Sequence, residues 1–262
     1  MPDRYHLRGL GYEIMLLTEA VMRFQSAPVA STAFGCYDLW EHDRIWKAVA
    51  RLREQGLIEE AAQRERRRDR QFEKLTESGA QAIWSGNCLQ ARWDREWNGQ
   101  WELVLFDAPS TRSDVRQRLH RWLRKNRFGW LQRSVWMRPD GDRLKRETFE
   151  AVGLEAGDFV TTAGPVNSSE PPQKLAARAW DFRAIAAAQD SYLAFARSAL
   201  QQVKAAGSPI IAFRSLVPQE KKLWLDAFRL DPLLPRSLYS PDYQGFAAVE
   251  AKDALLRAAV SR

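Results

Sequence analysis

Cysteine is nearly absent from this chain. Cys36 and Cys88 are the only two among 262 residues, and neither lies in a Cys-x-x-Cys pair. That excludes a disulfide framework and a thiolate zinc site. Histidine is almost as scarce, and His6, His42 and His120 stand far apart, in no metal-ligand spacing. Long hydrophobic runs are missing too. The longest near the start is Ile14-Met15-Leu16-Leu17, far short of the roughly 20 apolar residues of a membrane helix. The opening Met1-Pro2-Asp3-Arg4 leads into no secretory core. No glycine-rich phosphate loop, no nucleophile elbow and no internal repeat is visible. These absences lead us to expect a cytoplasmic protein with no membrane partner, no cofactor, no resident metal and no catalytic residues.

What is present is apolar mass and positive charge. Hydrophobic residues make up 45% of the chain and eleven are tryptophan, enough for packed cores. Formal net charge is +7, modest for this length. The surplus is unevenly spread: residues 1–90 are neutral, 91–165 carry +3 and 166–262 carry +4. Composition breaks at Ser85-Gly86-Asn87 and again at the Gly/Ser/Pro stretch Ala163 to Pro172. Three domains are therefore expected, residues 1–88, 89–165 and 166–262.

In the first, Ile14, Leu17, Val21 and Phe24 mark a helix near residues 9–25, with Tyr12, Leu16, Glu19, Ala20 and Arg23 on a mixed face. Residues 26–41 give no clear signal. Ile45, Val49 and Leu52 predict a second helix over about 43–55, with Gly56 placed to stop it. Leu57-Ile58 and residues 70–75 read as two strands around an Arg-rich tip, and Thr76 as the cap of a helix through Ile83. Helix, helix, hairpin, helix is the order of a winged helix-turn-helix. Arg44, Lys47 and Arg51 share the helix face turned away from the apolar one, as side chains reaching into a major groove must. Arg64, Arg66, Arg67 and Arg68 on the tip suit phosphates or a minor groove. The alternative is a solvated helix face beside a charged loop.

The second segment predicts a strand over 100–106 and a helix over about 111–126. Val115, Leu119, Trp122 and Leu123 form that helix's core stripe, and Arg112, Arg116, Arg118, Arg121, Arg124 and Lys125 line its other side. Strand formers at 130–137, a weaker helix over about 142–152 and a strand at 158–162 complete a ferredoxin-like βαββαβ order. The third segment reads as helices over 182–204, 209–230 (with Pro218 interrupting or starting its second half) and 247–260. The expected fold class is thus α+β, with a winged-helix head, a ferredoxin-like centre and a mostly helical C-terminal part serving effector binding or dimerisation.

Three stretches carry a resemblance. They are Trp97-Asn98-Gly99-Gln100-Trp101-Glu102-Leu103-Val104-Leu105-Phe106-Asp107-Ala108-Pro109, then Phe128-Gly129-Trp130-Leu131-Gln132-Arg133-Ser134-Val135-Trp136-Met137-Arg138-Pro139, then Arg229-Leu230-Asp231-Pro232-Leu233-Leu234-Pro235 with Pro241-Asp242-Tyr243-Gln244-Gly245. In sequence and order they resemble the phenylacetic acid degradation repressor (PaaX) family of bacterial transcription regulators. The N-terminal segment resembles that family in element order more than in its letters. The resemblance implies a homodimeric repressor on double-stranded operator DNA, released by an aryl-CoA thioester. Arg121, Trp122 and Arg124 are the residues here whose charge and aromatic surface suit such an effector.

The central segment also resembles the small ferredoxin-like protein of CRISPR adaptation, through its strand ending in Asp and Leu131-Gln132-Arg133-Ser134-Val135. That likeness implies metal-dependent nuclease chemistry at Asp107. A structural role at the end of the strand is the simpler reading, since two-metal chemistry needs several converging carboxylates. An effector-independent DNA-binding regulator is the remaining alternative.

Overall fold

The computed structural model describes residues 9–24, 42–61, 72–106, 113–139, 149–151, 153, 155 and 158–261. In chain order the elements begin with α1 (Gly9–Phe24), α2 (His42–Glu54), β1 (Ile58–Ala61), β2 (Phe72–Leu75), α3 (Glu77–Ala82) and α4 (Gly86–Trp93). Next come β3 (Trp101–Phe106), α5 (Ser113–Lys125), β4 (Gly129–Gln132), β5 (Val135–Pro139) and β6 (Phe159–Gly164). Then follow α6 (Pro172–Ala179), α7 (Phe182–Ala205), α8 (Pro209–Arg229), a 3₁₀ turn (Arg236–Leu238) and α9 (Gly245–Val260). Mixed helix and small sheets make the fold α+β, as expected.

Packing divides the chain into two units rather than along the three sequence segments. The first unit holds residues 1–90, 188–228 and 244–262, the second residues 91–187 and 229–243. In the first, the stripe Ile45, Val49 and Leu52 of α2 enters one core with Ile14 and Leu17 of α1. Ala199 and Val203 of α7, Phe213 and Val217 of α8, and Leu255 and Leu256 of α9 share that core. Each large aliphatic side chain removed from water there contributes roughly 1.5–3 kcal/mol. α1 is buried on more than its apolar stripe. Tyr12, Leu16, Glu19 and Ala20 of the mixed face are buried as well. Pro218 lies inside an α8 that continues across it.

α2 ends through a pair of reversed hydrogen bonds. Gly56 N–H donates to the Arg53 carbonyl at 2.9 Å, and Leu57 N–H to the Leu52 carbonyl at 2.9 Å. Gly56 takes φ 65°, which a residue without Cβ adopts freely. β1 and β2 then pair antiparallel from Ile58↔Leu75 to Ala61↔Phe72. Thr76 caps α3 by accepting the Gly79 N–H at 3.0 Å and donates to the Gly56 carbonyl at 2.6 Å. Gly79 is required: a Cβ there would lie 1.9 Å from the Leu57 carbonyl oxygen.

In the second unit the sheet order is β4-β5-β3-β6, with every neighbouring pair antiparallel. With α5 between β3 and β4, this is the ferredoxin-like order. Val104 and Phe106 of β3 and Trp136 of β5 pack on Val115, Leu119 and Leu123 of α5. Of the expected helix over 142–152, only Phe149 to Ala151 and Gly153 are described. Phe149 and Glu150 are helical, and Phe149 is fully buried against Phe159, with ring centroids 4.3 Å apart. The cross-strand partners Glu102 and Arg138 pair at 2.7 Å with Glu102 buried.

Two helices lie where the sequence read as breaks. Ser85 Oγ accepts the Cys88 N–H at 3.2 Å at the start of α4. The supposed linker shrinks to residues 165–171, because β6 runs to Gly164 and Pro172 opens α6. Proline suits a first helical turn, where its missing N–H has no partner to lose.

Candidate functional site

Two places in the molecule gather chemistry, one in each unit. The first is the outer face of α2. Arg44, Lys47 and Arg51 are all exposed there, at i, i+3 and i+7, while Ile45, Val49 and Leu52 are buried. Trp46, 46% exposed, lies on the flank of α2 between that stripe and the buried one. The spacing sets the three cations in one stripe, and the reversed bonds at Gly56 with the Thr76 cap fix the helix against the hairpin behind it. Arg64, Arg66, Arg67 and Arg68 lie outside the described residues.

The second place is a cavity of about 430 Å³ in the second unit. It is built around the C-terminal end of α5. Phe128 N–H donates to the Leu123 carbonyl at 2.9 Å and Arg127 N–H to the Arg124 carbonyl at 3.0 Å, so Arg127 occupies the left-handed position with φ 61°. Gly129 follows at the start of β4. A Cβ at Gly129 would lie 2.6 Å from the Trp180 ring and 2.7 Å from Ala179 Cβ, so only glycine lets the end of α6 close on the sheet. Trp130, Trp136 and Trp180 bring three indoles to the wall, and Arg124, Arg178 and Arg229 bring cations.

Beneath them lies buried Asp231. Its carboxylate accepts from Tyr239 Oη at 2.7 Å, from the Leu233 N–H at 2.8 Å and from Tyr243 Oη. Tyr239 Oη also accepts the Leu234 N–H at 3.0 Å. Burial pushes the Asp231 carboxyl up from its ordinary value, against the pull of the two tyrosines, the amide and Arg127. Arg127 is half-buried. Burial first, then Arg92, draws its pKa down to about 10, while Asp231 opposes the fall. It remains a cation at neutral pH. The Arg229–Pro235 stretch and Tyr243 thus belong to one cluster, which gives physical content to two motifs read only as letters.

Of the residues expected at an effector site, Arg121 and Arg124 are exposed on α5. Trp122 is half-buried, its ring 6.3 Å from Phe128 and 5.9 Å from Phe149. Arg124 alone of the three lines the cavity. Arg127, Trp180 and Asp231 escaped sequence reasoning as site residues, because residues separated by some hundred positions meet only in the folded chain. His120 packs between Phe106 and Trp136, and burial, then Arg124 and Arg116, lowers its pKa. Cys88 is half-buried in α4. Asp107 and Cys36 lie outside the described residues. Among the described residues no group of three or more His, Cys, Asp or Glu side chains could hold a metal ion, and no helix is long and apolar enough to cross a membrane.

Comparison with known proteins bears on the second unit. Residues 94–175 match the family described as the PaaX protein central Cas2-like domain. No curated protein matches the chain. Among solved structures, the uncharacterized protein Rv0674 from Mycobacterium tuberculosis is similar at 18% identity, covering 94% of each chain with a TM-score of 0.48. At that level neither fold nor function transfers from one chain to the other.

Proposed function

We propose that this chain is a DNA-binding transcription regulator of the PaaX family, on the premise that residues 94–175 match the central domain of PaaX proteins. The observation that supports this reading most is the α2 surface, where three exposed cations ride on a helix whose other side is locked into a core. A helix so held can enter a major groove without first being ordered. In this reading the first unit is a winged-helix head. Arg44, Lys47 and Arg51 meet base edges, and Arg64, Arg66, Arg67 and Arg68 meet phosphates or a minor groove. Two copies on a two-fold axis, a homodimer, read a roughly palindromic operator and repress a catabolic operon. An aryl-CoA thioester releases them, its phosphates met by Arg121 and Arg124 beside Trp122.

A gel shift against the gene's own upstream region tests the core of the proposal. Retardation at low salt is expected, and folded protein that causes none sinks the reading. Arg51→Ala is expected to change relative affinity among operator variants, by about 1–3 kcal/mol at the position it reads. Arg67→Ala with Arg68→Ala is expected instead to weaken binding to all sequences alike and to reduce the salt slope by about one for each lost contact. Titrating aryl-CoA thioesters into the complex then separates an effector-released regulator from one that binds DNA regardless.

A further inference from the structure

We propose that α5 is a second DNA-contacting surface of this protein, on which Arg118, Arg121 and Lys125 meet the phosphate backbone of a duplex without regard to its sequence. This second surface extends the DNA-binding reading above and rests on it.

The charge of the first unit leaves room for such a surface. Residues 1–90 carry no net charge. Asp43 and Glu54 stand exposed on α2 itself, and Glu59 and Glu60 stand exposed on β1. Attraction to phosphates follows the local surplus of cations, and acids within a Debye length reduce it. The surplus begins beyond that unit's first segment, with +3 over residues 91–165.

α5 sets out its cations as α2 does. Arg118, Arg121 and Lys125 are exposed at i, i+3 and i+7, the spacing of Arg44, Lys47 and Arg51. Val115, Leu119 and Leu123 are buried on the other side. At 1.5 Å per residue the stripe is roughly 10 Å long. Duplex DNA carries one negative charge per about 1.7 Å of its axis, so the stripe faces several phosphates at once. The helix beneath it is held firmly. Its buried residues enter the sheet's core, and the reversed bonds of Arg127 and Phe128 close its end.

The positive charge is not cancelled on the helix. Asp114 is the only acid in α5, and its 2.8 Å pair with Arg118 is exposed, so a phosphate can replace it at little cost. Arg121 and Lys125 make no ion pair among the described residues. The helix dipole favours cations in the last turn, Arg124 and Lys125, but gives no reason for Arg118 and Arg121 upstream. The cations also act on a neighbour: His120 has its pKa lowered by burial first, then by Arg124 and Arg116.

Anionic lipid is the other polyanion such a stripe could meet. A helix that lies on a membrane needs an apolar face to bury there. In α5 that face is spent on the protein's own core, with Trp122 half-buried. DNA phosphates require only cations.

Fluorescence anisotropy of the full chain with two duplexes, the gene's upstream region and a scrambled sequence, is the test, across about 50–200 mM salt. Arg118→Gln with Lys125→Gln replaces two exposed side chains and keeps Arg121, which the effector reading also uses. At about 0.9 per lost contact, this pair is expected to flatten the slope of log affinity against log salt by about two on both duplexes. Arg118→Lys with Lys125→Arg keeps the charges and is expected to keep the slope. A chain that binds both duplexes alike, with the slope still flattened by the Gln pair, sinks the sequence reading by α2 and supports this surface. A chain that prefers its upstream duplex, with a slope the Gln pair leaves unchanged, supports DNA binding and overturns this surface. No binding of either duplex at low salt overturns both. A slope flattened equally by the charge-conserving pair overturns the proposal too, since charge is then not the cause. So does duplex binding that the Gln pair leaves intact while it weakens binding to phosphatidylserine vesicles.

Discussion

Two helices in this chain end the same way on very different residues. α2 stops at Gly56 with φ 65°, and α5 stops at Arg127 with φ 61°. Each end uses the same pair of reversed backbone bonds. Glycine takes that conformation without penalty, whereas a side chain there costs on the order of 1 kcal/mol. The Arg127 guanidinium favours the charged form of the buried Asp231 carboxyl, and that offsets the backbone cost. The pair therefore predicts a reversal of sign. In the native background, Arg127→Gly relieves the backbone but takes a favourable cation from the buried Asp231 carboxylate, a net loss of about 1–3 kcal/mol. In an Asp231→Asn background the same change removes a half-buried cation that has lost the charge of Asp231, and Arg127→Gly stabilises. Urea unfolding of the four proteins in this cycle measures both steps. Destabilisation in both backgrounds would mean that Arg127 is kept for its packing rather than its charge.

At the scale of elements, α1 separates what a sequence displays from what it conceals. The apolar spacing of Ile14, Leu17, Val21 and Phe24 marks a helix, and residues 9–24 form one. Its second, mixed face is covered by α8 and α9. Tyr12 Oη donates to Glu220 at 3.0 Å, Arg23 pairs with Asp253 at 2.5 Å, and Glu19 accepts the Gly86 N–H at 3.2 Å. Burial raises the Glu19 pKa above the ordinary carboxylate value. Lys252, Arg23 and the Gly86 amide pull it down, and Asp253 adds to the rise. A carboxyl whose pKa is raised on folding holds its proton more tightly when folded. Its contribution to stability is complete below the unfolded value of about 4.3 and is lost as pH rises through the folded value. Glu19→Gln removes that titration. Its stability relative to the unaltered protein is therefore expected to rise between pH 4 and neutrality, as measured by thermal unfolding across that window. A constant difference would show that Glu19 titrates alike in both states.

Local chemistry was legible elsewhere. Gly56 and Thr76 announce a helix stop and a helix start, and both act as such. Ser85 and Pro172 carry equally local signals but sit among residues typical of linkers, and so concealed α4 and α6. The cluster of Arg127, Asp231 and Tyr243 has no local signature, because its members meet only through tertiary packing.

For the whole molecule, the sharpest difference between sequence and structure is what counts as a unit. Residues 1–88 read as a self-contained head, bounded by Ser85-Gly86-Asn87. In the folded chain their core is completed by Ala199, Val203, Phe213, Val217, Leu255 and Leu256. Their buried polar groups find partners in the same helices. Glu220 receives the Tyr12 and Tyr192 hydroxyls and pairs with Lys252 at 3.3 Å, and Lys252 lies 3.9 Å over the Trp224 ring. Trp224 in turn donates to the Ile83 and Trp84 carbonyls at 3.2 and 3.0 Å. Cutting the chain at residue 88 exposes the apolar surface that α7, α8 and α9 cover, at roughly 25 cal/mol per Å². It also leaves Glu19 and Tyr12 without the charges that compensate their burial. Domains of this size are only marginally stable with their cores intact. The fragment of residues 1–88 is therefore expected to show no cooperative thermal transition by circular dichroism and no retardation of operator DNA, even where the full chain shows both. A fragment that melts cooperatively and retards the operator would establish that the head folds alone and that the shared core is an accessory to it.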